Sequence, residues 1–122
     1  KAKVFLEGAF SEVTTTSTPN LEIELPEGDS IDDYVLVRID PKGIRREIEV
    51  TFVGGTAGVK TVFPPGTLIA GTPVVVRPGL HKLTFARPLP TGEYMIYVLG
   101  SADFAKGIYG KGYDFDVRDW IN

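Results

Sequence analysis

The chain has 122 residues, 43% of them hydrophobic, which suffices for the core of one domain (1–122) and excludes a disordered chain. A net charge of −3 argues against a nucleic-acid binder, which needs a basic face to displace counterions from phosphate. The absence of cysteine excludes disulfides and thiolate metal sites, and no stretch is apolar enough to span a bilayer as a helix.

Fourteen Gly and nine Pro, scattered along the chain, predict many turns and short strands. Residues 3–10 (KVFLEGAF) read as a first strand with Gly8 as a bulge. The Ser/Thr run 14–18, closed by Pro19, reads as an extended connection or an edge strand rich in β-branched residues. The competing reading is a hinge. Residues 1–18 would then form an exchangeable strand, with Val4, Phe5, Leu6 and Phe10 as the apolar side chains that change partner. A first residue Lys1 fits either removal of a leader or excision from a longer protein.

Residues 21–25 (LEIEL) alternate, with Leu21, Ile23 and Leu25 inward and Glu22 and Glu24 outward. The turn at 26–29 ends this strand. Asp29, Asp32 and Asp33 then offer three carboxylates, the ligand type a Ca²⁺ ion takes. They lack the spacing and the distant bidentate Glu of a dedicated calcium loop, and a solvated acidic loop is the favoured reading.

Residues 34–53 are the centre of the pattern. The first arm is almost continuously apolar at Val35, Leu36, Val37 and Ile39, which predicts a strand covered on both faces. The second arm alternates, Ile44, Ile48, Val50 and Phe52 against Arg45, Glu47, Glu49 and Thr51. Asp40-Pro41-Lys42-Gly43 between them predicts a type I turn closed by a glycine bulge. Residues 54–61 (GGTAGVKT) resemble a phosphate-binding loop only superficially. The glycine spacing is one short, Val59 intervenes before Lys60, and Pro64-Pro65 forbids the helix that would hold the phosphate. The stretch is expected to be a flexible loop between strands.

Three short strands are expected at 67–70, 74–77 and 80–87, separated by Gly71-Thr72-Pro73 and Pro78-Gly79. His81, the one histidine, is expected on a surface or an edge, and it lacks the partners of a triad or a zinc site. Residues 88–94 (PLPTGEY) open an apolar strand at 95–99 in the manner of a tyrosine corner, with the Tyr94 ring in the core and its hydroxyl turned back to the corner backbone. A loop over 100–112, with one helical turn at 102–105, leads to a last strand at 112–118 that alternates Tyr113, Phe115 and Val117 against Asp114, Asp116 and Arg118. Residues 119–122 form a tail.

The runs 34–38 (YVLVR), 46–50 (REIEV), 88–94 (PLPTGEY) and 113–117 (YDFDV) together resemble a group of uncharacterised exported bacterial β-domain proteins. In that group a Tyr-x-Leu-x-Arg strand precedes an Arg-Glu strand, a Pro-Gly-Glu-Tyr corner and a closing Tyr-Asp-Phe-Gly-Val strand. Asp116 stands where the group has Gly. The resemblance implies export or a cell-surface location and a sandwich fold, and it implies no chemistry.

The expected fold is all-β, a two-sheet antiparallel sandwich of about seven to nine strands, immunoglobulin-like, with a jelly roll or Greek-key barrel as the alternative. Three functions compete. The first is a non-enzymatic structural or assembly subunit that pairs with itself through the N-terminal strand, into a filament or other polymer. The second is a module for a glycan or a surface protein, with Tyr97, Tyr109 and Trp120 as a stacking platform; burial of these rings is the competing reading. The third is a hydrolase using Asp114 and Asp116, about 7 Å apart at Cα along one strand face. Alternation on a solvent face explains that pair without chemistry. No catalytic residue, cofactor or metal is assigned.

Overall fold

The computed structural model describes residues 2–7, 13–42, 45–55, 58–101 and 111–118. Their secondary structure is β, with one short 3-10 turn at Ile31–Asp33. The strands are β1 (Ala2–Glu7), β2 (Thr14–Thr15), β3 (Leu21–Glu24), β4 (Tyr34–Lys42), β5 (Arg45–Gly55), β6 (Gly58–Val62), β7 (Leu68–Ile69), β8 (Thr72–Arg77), β9 (Leu80–Thr84), β10 (Gly92–Val98) and β11 (Lys111–Val117).

They build two open sheets. The larger layer has five strands in the order β7-β4-β10-β11-β2, antiparallel except for the parallel pair of β2 with β11. The smaller layer has three, β3-β9-β8, all antiparallel. β4 outruns the larger layer. Its last residues, Asp40 to Lys42, pair with β5, and β5 in turn carries β1 and β6. β1, β5 and β6 thus form a ribbon attached to the sandwich through β4.

The two layers meet on one apolar cluster. Leu36, Tyr94, Ile96, Phe115 and Val117 come from the larger sheet and Leu83 from the smaller, with Leu21, Ile23 and Phe85 packed against them. Side chains alternate along a strand, so the neighbours of these residues lie on the opposite face of the larger sheet. There Val37, Ile39, Met95 and Tyr97 form a second buried cluster, with Phe63 edge-on to Tyr97 at 5.5 Å between ring centroids. β4 and β10 are therefore covered on both faces, as the continuous apolar run of β4 predicts. Each such side chain fully withdrawn from water contributes about 1.5–3 kcal/mol.

The tyrosine corner forms at the entry to β10. Tyr94 is 0% exposed, its ring stacks on Phe115, and its hydroxyl donates to the Pro90 carbonyl oxygen at 2.6 Å. Glycines set the turns where φ must be positive. Gly28, at φ 89, follows Glu27 in a turn closed by the Asp29 amide on the Pro26 carbonyl at 3.0 Å. Gly79, at φ 84, follows Pro78 between β8 and β9, whose ends Arg77 and Leu80 are paired.

The two layers hold eight strands, within the expected seven to nine, and the ribbon adds β1, β5 and β6 among the described residues. Three expectations need correction. Pro41 and Lys42 are strand residues, paired with Arg46 and Arg45, rather than the central residues of a turn. Within 54–61, residues 54–55 and 58–61 are strand rather than loop. β5 runs to Gly55 and β6 begins at Gly58, paired through Val53↔Lys60 and Thr51↔Val62, since Val59, Thr61 and Val62 favour an extended chain despite the glycines. His81 is on the central strand of the smaller sheet, half-buried, between Ile23 and Val75 in register, rather than at a surface or an edge. The expectations for Gly8, Gly43 and the turn at 102–105 fall outside the described residues.

Candidate functional site

The smaller sheet has two edges, and among the described residues neither is covered by another strand. The β3 edge lies over a cleft of about 330 Å³ between the two layers, lined by Leu21, Ile23, Tyr34, Ile96 and Tyr113. Leu21 and Ile23 are inward because β3 alternates, and this leaves Glu22 and Glu24 exposed at the rim. Across the cleft β11 is equally open among the described residues. β2 pairs only with Asp116 and Val117, and the Tyr113 ring stands 68% exposed. The Tyr34 hydroxyl donates to Asp29 Oδ2 at 3.3 Å, and burial together with this carboxylate pushes the Tyr34 ionisation above the ordinary tyrosine value.

The β8 edge is of another kind. Every residue from Thr72 to Arg77 is exposed, including Val74, Val75 and Val76, and Val75 reaches 63%. Beside it a groove of about 370 Å³ opens between the layers, lined by Leu36, Ile69, Leu83 and Phe85. Leu68 on β7 adds a further exposed apolar side chain on this side. Consecutive exposed valines on an edge strand offer apolar surface together with unpaired backbone groups, the combination that accepts another strand.

No protein-family model, no curated protein and no solved structure matches this chain.

The carboxylates anticipated on β11 are not on a solvent face. Asp116 is 2% exposed and Asp114 half-buried, because the outward face of the larger sheet carries the second apolar cluster. Arg118 Nε donates to Asp116 Oδ2 at 2.6 Å, which pairs the buried charge. Asp116 Oδ1 has no hydrogen-bond partner among the described residues. The register neighbour of Asp116 is Glu93 on β10, also buried, which sequence reasoning missed. The signal was present: Glu93 opens a strand whose next residues are apolar on both faces, so its own side chain had no solvent face to take.

Asp29, Asp32 and Asp33 do not converge. Asp29 accepts from Tyr34, Asp32 and Asp33 are exposed, and among the described residues no three His, Asp or Glu side chains are grouped to hold a metal ion. Tyr97 is 4% exposed and packed on Phe63, so it presents no open ring face; Tyr109 and Trp120 lie outside the described residues. Of the N-terminal strand, Val4, Phe5 and Leu6 are in β1, in register with Ile48, Glu47 and Arg46, and Phe10 lies outside the described residues.

Proposed function

We propose that this chain is a non-catalytic structural module of an exported or cell-surface assembly, an immunoglobulin-like sandwich that associates through its sheet edges by exchange of its N-terminal strand. The observation that carries this reading is the place of β1. It pairs with β5, outside both layers of the sandwich, while the β3 edge of the smaller sheet has no further strand among the described residues. A strand attached at an edge, with one described neighbour, changes partner at low cost, since only one ladder of backbone pairs has to be exchanged.

Three features support the immunoglobulin-like reading. The layer order β2-β11-β10-β4-β7 faces β3-β9-β8, a short early strand runs parallel to the last one, and the tyrosine corner precedes the penultimate strand. Export rests on the resemblance of residues 34–117 to exported β-domain proteins.

The test is the solution mass of the full chain against a variant lacking residues 1–7, by light scattering across concentrations. The full chain is expected to self-associate and the truncated chain to remain a folded monomer by circular dichroism. A full chain that stays monomeric at every concentration overturns the assembly reading. A second reading, a binding module for a glycan, is favoured by the exposed Tyr113 ring beside Asn20 and Glu22 at the β3 cleft. Calorimetric titration of the monomer with a glycan panel tests it, and heat that persists in Tyr113→Ala counts against this cleft.

A further inference from the structure

We propose that the open edge of β3 is the acceptor for the N-terminal strand of a second copy of this chain, in a definite register. The inference rests on the assembly reading above and names the surface that reading leaves open.

The register comes from a repeated template. In its own chain β1 runs antiparallel on β5, with Lys3 opposite Glu49, Val4 opposite Ile48 and Phe5 opposite Glu47. The stretch it meets is Glu47-Ile48-Glu49. The same triplet occurs once more in the chain, as Glu22-Ile23-Glu24, and that triplet is in β3. Transferred in register, Lys3 falls opposite Glu24, Val4 opposite Ile23 and Phe5 opposite Glu22. Leu6, which stands opposite Arg46 on β5, falls opposite Leu21 on β3. The apolar positions match better on β3 than on β5, and in both registers Lys3 stands opposite a Glu.

The edge is prepared for such a strand. The Leu25 amide donates to the Gly79 carbonyl oxygen on the β9 side at 2.8 Å. Backbone groups alternate in direction along a strand, so the N–H and C=O groups of Glu22 and Glu24 point to the open side. Val4 and Leu6 would share a face with Ile23 and Leu21, the face that lies over the 330 Å³ cleft. Charge favours this occupant. The rim carries Glu22 and Glu24, β3 holds no basic residue, and the incoming segment begins Lys1-Ala2-Lys3. Arg77 reaches Glu24 at 3.5 Å, but both side chains are largely exposed, so this pair leaves the carboxylate available to a second cation.

The absence of cysteine from the chain makes the test direct. Single variants Lys3→Cys and Glu24→Cys are mixed and mildly oxidised, and the covalent products are weighed by mass spectrometry. A heterodimer about tenfold in excess over either homodimer is expected, and it can form only between two copies. A mixture of Lys3→Cys with Glu49→Cys that cross-links in place of the first pair shows exchange onto β5; assembly then stands and the β3 acceptor falls. A double variant Lys3→Cys/Glu24→Cys that closes within one chain assigns the edge to the chain's own β1 and also overturns the inference. No cross-link from any mixture, together with a monomeric full chain, removes the assembly reading as well. As a non-covalent check, Glu22→Lys/Glu24→Lys alters only exposed side chains and is expected to weaken self-association about tenfold. Association that does not change in this variant overturns the register.

Discussion

β10 and β8 look alike as sequence and behave as opposites in the fold. Each carries an unbroken apolar run, Met95-Ile96-Tyr97-Val98 in one and Val74-Val75-Val76 in the other. In β10 the residues from Glu93 to Tyr97 are all buried, because β4 and β11 flank the strand and an apolar cluster covers each of its faces. In β8 every residue is exposed, with β9 as its sole described neighbour. A continuous apolar run thus marks two different demands: two covered faces, or a bare edge. What tells them apart is local. β8 contains Pro73, which cannot donate to a further strand, and its register slips between Val75 and Arg77. Proline and bulges are characteristic of edge strands.

The contrast can be tested by substitutions ordered by expected effect. Tyr94→Ala, at the start of the buried strand, is expected to cost about 3–5 kcal/mol, the range for truncating a buried aromatic. A denaturant midpoint that barely moves would remove Tyr94 from the core. Arg118→Met leaves the Asp116 carboxylate buried without its ion-pair donor and is expected to cost about 2 kcal/mol in chemical unfolding.

Tyr94→Phe keeps the ring but loses the bond to Pro90, for about 1 kcal/mol. It also bears on pH. Burial holds the Tyr94 hydroxyl above its ordinary value of 10.0, and Arg38 draws it part of the way back. The folded-state value is the higher one. The stability it contributes is therefore complete below pH 10.0 and falls as pH rises through the folded value. Stability measured between neutral and strongly alkaline pH should show this decline, and Tyr94→Phe should flatten it. His81→Leu is expected to raise stability by about 0.5–1 kcal/mol, since His81 Nδ1 is buried with no hydrogen-bond partner among the described residues. A loss of stability would show that the ring has a partner in solution. Val75→Thr, on the exposed strand, should shift stability by no more than about 0.5 kcal/mol. A large loss would mean that β8 is covered after all, and it would erase the contrast with β10.

Much of the sandwich was legible from local signals. β3 alternates over Leu21-Glu22-Ile23-Glu24, the corner at 88–94 carries its proline and tyrosine, and Pro78-Gly79 fixes the β8–β9 turn. What escaped depended on contacts distant in sequence. The ribbon's extension through Gly54, Gly55 and Gly58 looked like a loop because glycine lowers strand propensity, yet pairing of β5 with β6 overrides it. The burial of Asp116 was hidden because alternation alone cannot say whether the second face of a sheet meets water or another cluster. The open edges of β3 and β8 were illegible for the same reason, since an edge is defined by the strands that fail to arrive beside it.

The parallel pair of β2 with β11 has a mechanical consequence. The Asp116 amide donates to the Val13 carbonyl oxygen at 2.8 Å, and the Arg118 amide to that of Thr15 at 3.0 Å. Because the strands run the same way, tension applied backward at Val13 and forward at Arg118 slides one along the other and loads both bonds at once. An antiparallel hairpin pulled at its open end peels bond by bond under far smaller force. Under tension between Val13 and Arg118, this pair would act as a clamp loaded in shear.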